Sequence, residues 1–281
     1  MIRAAVAGLL VAGMACAQSI YVGSPFRRIG PDGEPVRPDQ GGRPREILSP
    51  ALARNAHGSF HVAVRVPASR PFTVHISQNP EEGVRFTLYR EVFRREPAGW
   101  IPDALVRVAL PYTGQPSGAT GDRVTVFWLD LWVERQAPVR RVRLETQLNV
   151  GNDWIIYPME LRVLETVVPD LPERAAALPP VSAPAEAAAR LALRQYLCGE
   201  TLPGATEGLT VRRLILRNAL EDMALARKLE RDLGAEAVAK GLLEPLGVAD
   251  PKPWCSSAAS AAAGPEWYLR VRDFLYRNTI D

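Results

Sequence analysis

Three histidines, His57, His61 and His75, fall within one short stretch of the chain. Imidazoles ligate metals and act as general bases, so their spacing matters first. His61 and His75 lie on either side of Pro67-Ala68-Ser69, and a hairpin turned there sets them opposite each other. Two imidazoles fall short of the three or four ligands a zinc site takes. The pair is read as an ordinary polar cross-strand contact, and neither a metal nor another cofactor is expected. Catalytic signatures are otherwise missing. The sequence holds no G-x-S-x-G nucleophile elbow, and Gly199–Gly208 lacks the Lys-Ser/Thr ending of a phosphate cradle.

Trp128 and Trp132 are more telling, because tryptophan is seldom left on a solvated face without a purpose. In a strand they share the face of Asp130, opposite Phe127, Leu129 and Leu131. A turn at Gln136-Ala137-Pro138 that pairs Glu134 with Val139 sets Trp132 beside Arg141, with Arg162 beyond it. Trp128, Trp132, Arg141 and Arg162 are therefore the candidate binding residues, suited to stacking a sugar ring or anchoring a protein. The competing reading is that the helical part or a second sheet covers the tryptophans. The same register lines up Asp130, Arg143 and Glu160, read as a charge ladder on the sheet surface.

These residues depend on strands of period two. Phe60, Val62, Val64 and Val66 alternate with polar or small residues, as do Phe72, Val74 and Ile76, then Val84, Phe86 and Leu88. Leu105–Leu110 is a further strand. Residues 123–164 read as a three-stranded meander, its second turn at Gly151-Asn152-Asp153. That turn pairs Leu148 with Ile155, Leu144 with Met159 and Val142 with Leu161. The expected fold is α+β and multidomain. An N-terminal antiparallel β-sandwich of immunoglobulin-like type (51–168) precedes a small helical bundle (185–281). Residues 18–50, rich in Pro and Gly, are expected to form an extended or disordered arm, and 169–184 a Pro-rich linker.

The helical period begins at Ala185. The pattern predicts helices over 185–197, 209–233, 236–246 and 265–277, with Thr210 as a cap and Gly234 as a stop. Cys198 follows the first helix and Cys255 precedes the last. A disulfide between them closes a loop of about 60 residues, worth roughly 4 kcal/mol by loop entropy.

Residues 1–17, MIRAAVAGLLVAGMACA, have the form of a cleavable secretory leader: a basic start, an apolar run and Ala-Cys-Ala before Gln18. Cleavage there removes Cys16 and leaves the two cysteines that pair. A lipid anchor on Cys16 is the alternative. The formal net charge is +3, and +2 once Arg3 leaves with the leader, too small to imply nucleic acid. No later run is apolar and long enough to span a bilayer. The expectation is an exported binding protein, periplasmic or secreted, that recognises a protein or glycan through its β part. The alternatives are an envelope hydrolase with an acidic site between domains, and an assembly chaperone that offers a sheet edge.

Overall fold

Among the described residues, alternating apolar residues build ten strands, and the helical period builds five α-helices after them. The structure, a computed structural model, describes residues 18–36, 49–66, 70–97, 99–115, 124–171, 185–204, 208–256 and 267–279. The strands are β1 (Ser19–Gly23), β2 (Ala51–Arg54), β3 (His57–Arg65), β4 (Phe72–Asn79), β5 (Val84–Glu96), β6 (Gly99–Val108), β7 (Tyr112–Gly114), β8 (Val124–Val133), β9 (Arg141–Val150) and β10 (Asp153–Val167). The helices are α1 (Ala185–Cys198), α2 (Val211–Leu233), α3 (Ala235–Leu243), α4 (Pro251–Ser256) and α5 (Trp267–Asn278). The expected leader with Cys16, and 172–184 of the expected linker, lie outside the described residues.

Two five-stranded sheets form, in the orders β1-β3-β8-β5-β6 and β2-β10-β9-β4-β7. Neighbours are antiparallel except β2 and β10, which run parallel. The inner faces present Val62, Val64, Phe127, Leu129 and Leu131 from the first sheet and Val74, Leu144, Leu148, Met159 and Leu161 from the second. All are buried, and the ring of Phe72 in β4 meets that of Phe127 in β8 at 6.5 Å. The β9–β10 hairpin has the register its sequence predicts, with Leu148 on Ile155 and Leu144 on Met159. Gly151 takes φ 65° in its turn, where a side chain would be strained.

Three sequence readings need correction. β8 and β9 are not neighbours in a meander. β8 pairs with β3 and β5, β9 with β10 and β4, and the chain between them crosses from one sheet to the other. Period-two alternation is the same whether a strand turns back beside its predecessor or crosses to the facing sheet. His61 and His75 likewise stand in different sheets. The first part of the expected arm is ordered: β1 pairs with β3, and Ile29 packs on Ala63, Val124 and Val126.

α2 lies against β3 and β6 of the first sheet, while α5 meets β2 of the second. Thr210 caps α2 by accepting from the Arg213 backbone, and Gly234 ends it with φ 82°. Leu105 N–H donates to Leu209 O, tying the start of α2 to the edge strand β6. α4 is the helix the sequence pattern missed, short and begun by Pro251. Cys198 and Cys255 are paired, their Cα atoms 5.5 Å apart, which joins the end of α1 to α4. Arg194 reinforces that join by donating to the carbonyls of Trp254 and Cys255 at 3.1 and 3.0 Å. In the interior, Arg272 of α5 donates to Asp222 of α2 at 3.0 Å, and Tyr276 adds a second bond at 3.3 Å. Burial pushes the Asp222 carboxyl up, and Arg272 pulls it back.

The α3–α5 contact has one point without slack. A Cβ on Gly241 would press into the ring of Phe274. Gly241→Ala is therefore expected to destabilise the chain by about 1–3 kcal/mol. Chemical denaturation should show this as a lower midpoint at unchanged m-value.

Candidate functional site

The outer face of the first sheet gathers polar and aromatic residues, among them several to which the sequence points. Along β8 these are Trp128, Asp130 and Trp132; along β3, His57, Ser59 and His61; along β5, Tyr89 and Glu91. The face is closed. Trp128 and Asp130 are buried, and Trp132 is partly so. α2 lies over one end and meets it with polar groups. Arg217 Nη2 donates to Asp130 Oδ1 at 2.7 Å, and Asn218 Nδ2 to Ser59 Oγ at 3.1 Å. Ser59 in turn donates to Asp130 at 2.8 Å. Glu221 takes the His57 backbone N–H and Nδ1, both at 2.8 Å. Further along, His61 Nδ1 lies 2.7 Å from Glu91 Oε1, with its ring edge-on to Trp128 at 5.0 Å.

The electrostatics follow from this seam. Burial works to lower the Arg217 pKa, but Asp130 and Glu221 more than offset it and leave it raised. The Tyr89 phenol is pushed up by burial first and by Asp130 second. Among the described residues, no group of three His, Cys, Asp or Glu is gathered as a metal would need.

The four candidate binding residues do not share a surface. Trp128 and Trp132 belong to the first sheet, Arg141 and Arg162 to the second. The register error at β8–β9 accounts for the separation. Arg141 and Arg162 are cross-strand partners and exposed, and Arg141 bonds Glu160 at 2.8 Å. The Asp130–Arg143–Glu160 row is broken in the same way. Arg143 and Glu160 remain opposite, while Asp130 turns to α2.

The outer face of the second sheet is open; it carries Arg141, Arg162 and His75, which the sequence singles out, and Trp154 and Ile156, which it does not. Trp154 and Ile156 of β10 are 58% and 49% exposed on it. Across the strands, the first row runs Trp154, Asn149, Thr73, Thr113, and the second Ile156, Gln147, His75. Thr73 and Thr113 share a hydroxyl bond of 3.0 Å, and Gln147 Nε2 donates to Ser77 Oγ at 3.2 Å. With its carboxamide turned to satisfy both neighbours, Asn149 accepts from Trp154 Nε1 at 3.0 Å and donates to Gly151 O at 3.3 Å. The alternation of β10 held the signal: Trp154 and Ile156 have the parity opposite to buried Met159 and Leu161.

No protein-family model matches the chain, and no curated protein matches it. Several solved structures show slight likeness, three of which follow. A family 123 glycoside hydrolase from Clostridium perfringens aligns with 54% of this chain and 28% of its own, at 10% identity and TM-score 0.36. The N-terminal domain of PorA aligns with 53% of this chain and 99% of its own, at 7% identity and TM-score 0.29. AvmM, which catalyses macrocyclization in alchivemycin A biosynthesis, aligns with 47% of this chain and 88% of its own, at 12% identity and TM-score 0.25. At such scores the likenesses carry no argument about this chain.

The seam makes a strong demand on Arg217. Removing it leaves Asp130 buried with Ser59 alone, so Arg217→Ala is expected to cost about 3–5 kcal/mol. Equilibrium unfolding measures this, and a loss below ~1 kcal/mol would show that water reaches Asp130.

Proposed function

We propose that the chain is an exported, non-catalytic binding protein that recognises its partner through the outer face of the second sheet. The observation that supports this reading is the joint exposure of Trp154 and Ile156 on one strand face. Large apolar side chains side by side on a solvated face are characteristic of contact surfaces. Export is supported by the form of residues 1–17 and by the Cys198–Cys255 pair, which suits an oxidising compartment. Among the described residues no helix is long and apolar enough to cross a membrane.

The immunoglobulin-like sandwich reading belongs to the same proposal. Its support is the order β1-β3-β8-β5 facing β10-β9-β4, which parallels the A-B-E-D and G-F-C sheets of such domains. β6 and β7 are then additions at the edges. The domain boundaries proposed are 51–168 for this part and 185–281 for the helical part.

An edge-offering chaperone is the second reading, favoured by one observation. Among the described residues, β10 is paired on its β2 side only at Arg162, Val163 and Val167. Arg162 N–H bonds Pro50 O, so residues of its parity point their backbone groups towards that side. Pro158 has this parity and offers no N–H, which interrupts the row a client strand would need. The face is therefore better supported than the edge.

The test is retention from an envelope extract on the immobilised chain. Wild type and Arg85→Ala, a change on the first sheet, should retain the same material; Trp154→Ala/Ile156→Ala should lose it. Equal retention by the double variant, or none by wild type, would sink the reading.

A further inference from the structure

The chemistry of the second-sheet face points to the kind of partner it takes. We infer that the outer face from Trp154 to Thr113 binds a neutral oligosaccharide. In this arrangement a sugar ring stacks on the indole, and its hydroxyls bond to the carboxamides and hydroxyls of Asn149, Gln147, Thr73 and Thr113. The inference rests on the proposal that this face is the contact surface.

Three observations carry it. First, the indole is both open and held. Trp154 is 58% exposed, and Asn149 fixes its N–H at 3.0 Å. An aromatic face fixed beside polar groups offers an apolar platform with hydrogen bonds at its rim. Sugars present the same combination, with C–H groups on the ring face and hydroxyls around it.

Second, the rows beyond the indole are made of groups that both donate and accept. Asn149, Thr73 and Thr113 continue the Trp154 row, and Gln147 and His75 continue the next. A carboxamide or hydroxyl serves a sugar hydroxyl in either role. The first row crosses four strands, about 14 Å at the usual strand spacing. That suits a short oligosaccharide rather than a single ring.

Third, the charges fit a neutral ligand. The rows through Trp154 and Ile156 hold no Lys, Arg, Asp or Glu. The nearest charges on the face are engaged: Arg141 with Glu160 at 2.8 Å, and Glu145 with Arg143 at 2.7 Å and with Gln147 Nε2 at 2.9 Å. An acidic glycan would have to compete for those arginines, whereas a neutral one meets no unmatched charge.

Affinity electrophoresis of the full chain tests this. The gels would contain hydroxyethylcellulose, galactomannan, arabinoxylan or amylose as neutral polymers, with alginate as the charged comparison. At least one neutral polymer should retard the wild type, and alginate should not. Trp154→Ala should weaken that interaction about tenfold, and Trp154→Phe should restore part of it. Gln147→Ala should weaken it several-fold, with unchanged far-UV circular dichroism in every variant. The inference is overturned if no neutral polymer retards the chain, if only alginate does, or if Trp154→Ala behaves as wild type. If no polymer binds but the extract experiment still shows Trp154-dependent retention of a protein, the glycan inference fails and the contact face stands. If neither experiment depends on Trp154, both fail.

Discussion

The two-sided burial of β8 is the constraint on which the architecture turns. Of its residues Val124 to Val133, only Trp132 escapes full burial. One face is covered by the second sheet, which brings Val74, Leu144, Leu148 and Leu161 to a shared core. The other face needs a cover from elsewhere in the chain. The segment after β1 supplies Ile29 over Val124 and Val126, and α2 lies over Asp130. An acidic group in the middle of such a strand is costly unless it is paired and hydrogen-bonded. Arg217 and Ser59 meet that need. A buried ion pair adds little net stability, and its best-attested use is to fix registration. Here Arg217, Asn218 and Glu221 engage Asp130, Ser59 and His57. Only one rotation and one axial position of α2 satisfy all three contacts.

The same strand explains what could and could not be read in advance. Elements defined by local chemistry were legible. The β9–β10 register followed from Gly151-Asn152 and clean alternation, and the ends of α2 from Thr210 and Gly234. The cysteine pair followed from position. What was missed depends on contacts far apart in sequence. β8 has apolar residues in both parities: Val124, Val126 and Trp128 as well as Phe127, Leu129 and Leu131. That pattern marks a strand covered on both faces. Reading β8 and β9 as neighbours put Trp132 beside arginines that belong to the other sheet. β1 is short and owes its order to pairing with β3, so its Pro- and Gly-rich surroundings dominated the local signal. Arg217, Asn218 and Glu221 are polar residues of a helix whose partners, Asp130, Ser59 and His57, lie far off in sequence, so no local pattern marks them.

The sheet edges are managed in a way that narrows how this chain can meet others. β1, β2 and β7 are 5, 4 and 3 residues long, too short to template an added strand well. The long edge strand β6 contains Pro102, and its middle is tied to the start of α2 through Leu105. The open stretch of β10 contains Pro158. Prolines at these places remove donors from the outward rows and discourage edge-to-edge association. Recognition by backbone pairing is thereby blunted on both sheets.

With the edges blunted and the outer face of the first sheet covered in part by α2 and in part by the segment after β1, the outer face of the second is the one left for the proposed side-chain recognition. That face otherwise follows the rule for a half-solvated antiparallel sheet, with Asn149, Gln147, Thr73 and Ser77 set against a buried inner row. Trp154 departs from the rule. A threonine would serve a strand as well there, since β-propensity reflects how a side chain fits a half-buried surface. With more than half its surface in water, the indole returns to folding only part of what burial of so large a ring yields. In the proposed binding role the remainder is realised when a partner covers the ring, so that its contribution falls on the binding step rather than on the fold.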